Sequence, residues 1–163
     1  MLNHNTFSIL LLERIRMLSN TCKYAIRSVI YLALHAQDGK KIGIKKISED
    51  LEIPTPFLGK ILQSLARQKL LSSTKGPHGG FGLGKDPMEI SLMNIVEIVD
   101  GLDMFENCLI GMRPCKTDTN NQDPCPVHGQ FGGIRQQLYD LFNDRTVGKL
   151  ITEIEGTDEY ISL

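Results

Sequence analysis

The chain has 163 residues, 41% of them hydrophobic and 23% charged; this length suits one compact core with an appendage and leaves little for a second domain. No apolar run approaches the ~20 residues that cross a bilayer, and the short apolar stretch from Phe7 to Leu12 has its arginines behind it and no small-residue cleavage site. Neither a membrane span nor an export signal is expected, and the cytoplasm is the expected compartment.

The formal net charge of −1 hides an uneven distribution. Residues 17–90 carry eleven Lys and Arg against six Asp and Glu, whereas residues 91–163 carry five against twelve. A basic half followed by an acidic half fits a protein that meets phosphates at one end and something else at the other.

Residues 1–16 precede a second methionine, Met17, and are read as an arm or start-site extension with no assigned function. From Thr21 to Ala36 the chain is apolar almost all round, which predicts a helix buried on several sides with Asn20 or Thr21 as its N-cap. Asp38-Gly39 ends it. Ile42 to Ile44 reads as a short strand, and Ser48 as the cap of a brief helix through Leu51. Thr55-Pro56 then opens a helix whose Phe57, Leu58, Ile61, Leu62 and Leu65 recur at helical spacing. Its other face holds Thr55, Lys60, Gln63, Ser64 and Arg67, side chains suited to phosphates and base edges.

Two short helices of this kind read as a helix-turn-helix. Leu70–Thr74, the turn Lys75-Gly76-Pro77-His78-Gly79-Gly80 and Phe81-Gly82-Leu83 then form a hairpin wing. Its glycine-rich tip allows close approach to a sugar-phosphate wall, with Lys75 and His78 as the contacting groups. The glycines do not match a nucleotide-binding G-x-G-x-x-G, and no Gly-Lys-Ser/Thr follows. The DNA-facing set is therefore Ser48, Thr55, Lys60, Gln63, Arg67, Lys75 and His78.

Cys22 stands alone in the first helix as a small core residue. Cys108, Cys115 and Cys125 cluster instead, in a stretch broken by Gly111, Pro114, Asn120, Asn121 and Pro124, and His128 follows Cys125 with two residues between. Three thiolates and an imidazole suit an iron-sulfur cluster or zinc and are poor for magnesium or calcium. Structural zinc sites favour two close ligand pairs, whereas only Cys125 and His128 are close here, which weighs toward a cluster. Cysteines that hold no metal at all are the plain alternative; a disulfide fits a reducing compartment poorly, and a catalytic Cys-His pair lacks an orienting third residue.

These residues together resemble the Rrf2 family of bacterial transcriptional regulators. The match runs through Cys22-Lys23-Tyr24-Ala25-Ile26-Arg27, Ile47-Ser48, Pro56-Phe57-Leu58, the wing phrase from Lys75 to Phe81, Glu89-Ile90-Ser91-Leu92, and the cysteine trio with its histidine. The resemblance implies a fold that is mostly α with a small β wing: a winged helix-turn-helix over 17–101, a cluster-binding loop over 102–130, and a dimerisation helix and tail over 131–163. It implies a homodimer on a near-palindromic double-stranded operator, with Ile134, Leu138, Leu141 and Phe142 as a stripe suited to a partner helix or to the monomer's own core.

By the same resemblance Cys108, Cys115, Cys125 and His128 would hold a cluster that reports redox, iron-sulfur or nitric oxide status, though the gaps between the cysteines are longer than is usual. Lys23 stands where a 4Fe-4S type has an acidic ligand, which favours 2Fe-2S. Gly59 replaces a glutamate that discriminates between operators, so no operator sequence carries over. The rival readings are a cluster-free regulator of sulfur metabolism acting through a partner protein, and a zinc-stabilised module that does not bind DNA.

Overall fold

The computed structural model describes residues 17–77, 79–110 and 127–155. Its elements are α1 (Asn20–His35), α2 (Ile44–Leu51), α3 (Thr55–Arg67), β1 (Leu71–Thr74), β2 (Gly80–Leu83), a 3-10 turn (Pro87–Glu89), α4 (Leu92–Val99), α5 (Asp103–Glu106), α6 (His128–Asp144) and α7 (Val147–Glu155). The architecture is the expected one, mostly helical with one small antiparallel sheet.

Helix α1 is the hub. It begins one residue earlier than the sequence suggests because the cap is Ser19, whose hydroxyl accepts from the Cys22 amide at 3.0 Å and satisfies one of the donors left open at a helix start. Its apolar circumference packs against α2, α3, β2, α4 and α7. The buried Ser28 hydroxyl donates to the Tyr24 carbonyl at 2.7 Å, and Arg27 Nη2 donates to the Leu51 carbonyl at 3.4 Å while its Nε is buried without a hydrogen-bond partner among the described residues.

Between α1 and α3 the sequence reading needs correction. Ile42 does pair like a strand, exchanging two 2.9 Å hydrogen bonds with Phe81, but Ile44 already belongs to α2, with Gly43 as its extended cap residue. Ser48 therefore lies inside α2 and does not cap it. Ile47 and Leu51 face the core, and Glu52 closes the helix in the left-handed region at φ 55°.

Helix α3 buries Leu58, Ile61, Leu62 and Leu65 on one side, each contributing about 1.5–3 kcal/mol of burial. Its N-cap is Pro54, which moves Pro56 to the second helical position, where the absent N–H still costs no helical bond. The wing pairs Leu71 with Leu83 and Thr74 with Gly80. Gly80 is required by contact: a Cβ there would lie 2.3 Å from the Ile42 carbonyl oxygen, the point where the Ile42 bridge meets the wing.

The chain then returns. Ser91 caps α4 and forms a reciprocal capping box with Asn94. Residues 145–147 lie alongside 90–92, with Leu92 N–H donating to Arg145 and Val147 N–H to Ile90 at 2.9 and 2.8 Å. Val147 is fully buried in the same core as α1. The segment expected as a helix and tail thus contains two helices, and the second packs back on α1 and the 3-10 turn. A second, smaller cluster joins Cys22, Met93, Val96, Phe105 and Phe142, fastening α5 and α6 to the helical body.

Candidate functional site

Two surfaces carry the groups singled out from the sequence. On the first, α3 presents Lys60, Gln63 and Arg67 to solvent, opposite its buried leucines. Arg67 Nε donates to the Gln63 carbonyl at 3.4 Å, and Gln63, Ala66 and Arg67 share a shallow depression with Ser73 of the first wing strand. The outer face of the helix and the flank of the wing are therefore one continuous polar surface. At the wing tip Lys75 is exposed, Gly76 takes φ 112°, and the Gly79 N–H donates back to the Gly76 carbonyl at 3.0 Å. His78 lies outside the described residues.

Ser48 and Thr55 play a different part. Ser48 Oγ donates to the Ile53 carbonyl at 2.7 Å and lies 2.8 Å from Thr55 Oγ1. With the Ser48 proton committed to Ile53, Thr55 must donate to Ser48, so neither hydroxyl keeps a proton for phosphate. Their work in this structure is to lock the turn that sets α3 against α2.

A second fastener was not singled out from the sequence. Tyr31 of α1 donates to Asp50 of α2 at 2.5 Å, and Lys46 pairs with the other carboxylate oxygen at 2.7 Å. Burial, and then the Asp50 carboxylate, push the Tyr31 hydroxyl up to about 12, while Lys46 and then Tyr31 hold Asp50 below the usual carboxylate range. The Lys46–Asp50 pair has the helical i, i+4 spacing that sequence alone reveals; the tyrosine is reached only through the fold.

The second surface is the cysteine segment. Cys22 is wholly buried beside α4 and α6, and burial, with the Asp100 carboxylate adding to it, raises its thiol to about 12. It stays a protonated core residue, as expected. Cys108 is half-buried, two residues past the end of α5, and His128 is the half-buried first residue of α6. Cys115 and Cys125 lie outside the described residues, and among the described residues no group of three or more ligating side chains converges. The donor set nonetheless suits a thiophilic metal or an iron-sulfur cluster; His128 opens α6, and α5, which ends two residues before Cys108, packs on α6. Phe105 of α5 sits edge-on to Tyr139 and Phe142 of α6 at 5.9 and 5.6 Å, and Arg135 of α6 donates to the carbonyls of Glu106 and Asn107 at 3.2 and 3.4 Å.

The apolar stripe of α6 divides. Phe142 is buried and Leu138 packs beside it on the smaller cluster, whereas Ile134 and Leu141 stand 62% and 50% exposed, with Leu109 and Ile110 also exposed. Among the described residues no helix is long and apolar enough to cross a membrane.

Comparison with known proteins places this geometry. The Rrf2 family profile, described as an iron-dependent transcriptional regulator, matches residues 18–153. A chain of Aquifex aeolicus assigned as an HTH-type transcriptional regulator is 33% identical over 133 residues, covering 82% of this chain and 90% of that one. The HTH-type transcriptional regulator IscR of Pectobacterium carotovorum is 28% identical over 141 residues, covering 86% and 82%. Among solved structures, CymR, the global cysteine regulator of B. subtilis, superposes with a TM-score of 0.67 at 18% identity, covering 83% of this chain and 96% of that one. IscR of T. potens gives 0.65 at 17%, covering 88% and 91%. At those identities the two structures speak to the fold.

Proposed function

The chain belongs to the Rrf2 family of transcriptional regulators, and from that premise we propose that it binds operator DNA as a homodimer and senses through an iron-sulfur cluster held by Cys108, Cys115, Cys125 and His128. The observation that carries the DNA half is the surface on which Gln63 and Arg67 of α3 meet Ser73 of the wing, with Lys60 exposed on the same helix and the Ser48–Thr55 lock holding the turn before it. Lys60, Arg67, Lys75 and His78 are assigned to phosphate or groove contacts, and Gln63 to a base edge. Ser48 and Thr55 serve by holding the turn.

The sensor half rests on the donor chemistry. Three thiolates and one imidazole can hold a 2Fe-2S centre, and Lys23, at the start of α1, offers no carboxylate for a 4Fe-4S centre. When bound, such a centre supplies reactivity toward oxidants and nitric oxide. The protein supplies the coupling. The segment that ends at Cys108 leaves α4 through Asp100, and Asp100 is bonded to Ser19 at the head of α1. The same segment is fastened to α6, whose exposed Ile134 and Leu141 form the assigned dimer contact. A change in the cysteine segment therefore bears both on the DNA-binding body and on the helix that spaces two copies of it. Since paired recognition helices must register about one duplex turn apart, a small change in that spacing alters affinity.

The test is anaerobic reconstitution with iron and sulfide, followed by operator binding with and without the cluster at fixed salt. A visible absorption band that is lost in Cys125→Ala, with a difference in affinity between the two forms, supports the reading. Colourless protein after reconstitution removes the iron-sulfur centre, and a colourless protein that takes up zinc replaces it with a structural metal. Equal affinities remove the switch.

A further inference from the structure

We infer that Arg135 is the positioning residue for the first thiolate of the sensor segment, clasping the backbone just before Cys108 onto the helix that begins at His128; this rests on the reading of Cys108 and His128 as ligands.

Helix α5 has only four residues, too few to stand by its own hydrogen bonds. Two attachments to α6 hold it. Phe105 fixes its body through the ring contacts with Tyr139 and Phe142. Arg135 fixes its exit: one nitrogen, Nη1, donates to the carbonyls of Glu106 and Asn107, which leave the helix without a continuing turn to use them. Cys108 is the next residue. Among the described residues no carboxylate forms a salt bridge with Arg135, and its Nη1 is bonded to main chain. Its carbon also lies 6.0 Å from the centre of the Phe131 ring, which steadies the side chain along its own helix.

Arg135 lies seven residues beyond His128 on the same helix, about 10 Å along its axis. The clasp therefore fixes the backbone that carries one ligand relative to the helix that carries another, before Cys115 and Cys125 are considered. It also brings a permanent positive charge to the main chain immediately before Cys108. Partners of this outer kind typically change metal affinity by 10–100-fold when removed.

The experiment uses the full chain, reconstituted anaerobically, as wild type, Arg135→Ala and Arg135→Lys. Three quantities are read: the rate at which excess EDTA bleaches the visible band, the visible circular dichroism of the centre, and the urea midpoint. Arg135→Ala is expected to bleach about tenfold faster or more with an altered visible dichroism, and Arg135→Lys to recover part of both, since an ammonium can still donate to a carbonyl. Equal bleaching rates with an unchanged dichroism overturn the inference. A cluster-free arm separates its failure from that of the proposed function. In apo protein, iodoacetamide labelling followed by peptide mass spectrometry should find Cys108 modified several-fold faster in Arg135→Ala while Cys22 stays protected. If wild type takes up no iron, the cluster reading fails and this arm alone decides the clasp: faster labelling of Cys108 supports it and equal labelling overturns it.

Discussion

Asp100 holds Ser19 by both its amide and its hydroxyl, at 2.8 and 2.5 Å, across 81 positions of sequence. Ser19 in turn caps α1, so the end of α4 is tied to the start of the helix around which the DNA-binding half is built. Asp100→Ala should lower the unfolding free energy by about 1 kcal/mol, the scale of one cap or one solvent-exposed charged hydrogen bond, and Asp100→Asn by less, because one acceptor oxygen remains. Urea denaturation followed by far-ultraviolet dichroism checks this; an unchanged midpoint in Asp100→Ala would mean the tie adds no stability.

Lys60 and Arg67 are exposed on α3, Arg67 beside Ser73 of the wing. Each changed to Ala should weaken operator binding and random-sequence binding alike and reduce the slope of log K against log salt by about 1. Gln63→Ala should instead flatten preference at one base pair, by about 1–3 kcal/mol of discrimination. Mobility-shift titrations at several salt concentrations distinguish the two patterns, with Lys149→Ala on α7 as the control expected to leave both unchanged.

The Tyr31–Asp50 bond predicts a pH effect of definite sign. Tyr31 titrates at about 12 in the folded protein, above its ordinary 10.0, so its stabilising contribution is fully present below pH 10 and lost as pH rises from there toward 12. Asp50 is shifted down, so its contribution is present at neutral pH and lost in acid, as pH falls through its lowered folded value. Tyr31→Phe should therefore be less stable than wild type at pH 8, with the gap closing between pH 10 and 12. Unfolding free energies across that range check it; a gap that stays constant would mean the hydroxyl does not titrate there.

Ile134 and Leu141 are exposed on α6 while Phe142, on the same helix, is buried. The double change Ile134→Glu, Leu141→Glu should convert the protein to monomer in sedimentation velocity and weaken operator binding while leaving the unfolding midpoint near wild type. Phe142→Ala, by contrast, should cost about 3–5 kcal/mol. A double variant that still sediments as a dimer would place the interface elsewhere.

The parts of this fold that sequence disclosed are those governed by local rules. The spacing of Leu58, Ile61, Leu62 and Leu65 defines α3 because a helix repeats every 3.6 residues, and the glycines of the wing mark where only a missing Cβ fits. Ile42 to Ile44 reads as a strand because β-branched residues suit strands; Ile42 does bridge Phe81, but Gly43 then lets the chain turn into α2, which takes Ile44. Ser48 looked like a cap since serine favours that position, yet its partner Thr55 lies on the next helix. Arg135 is not singled out by the sequence, because nothing nearby in the chain announces that it reaches back 28 and 29 positions. The stripe of α6 showed its period but not its division between monomer core and open surface. His78, Cys115 and Cys125 fall outside the described residues.

The pairing of residues 145–147 with 90–92, and the burial of Val147 in the core around α1, bears on how the molecule is made. A ribosome delivers α3 and the wing long before it delivers Val147, so the apolar flank of α1 must wait, uncovered, until α7 has followed them. Premature termination upstream of that point leaves the nascent reader of DNA without its keystone, and a prematurely shortened product is exposed to clearance by proteases before it can compete for operators.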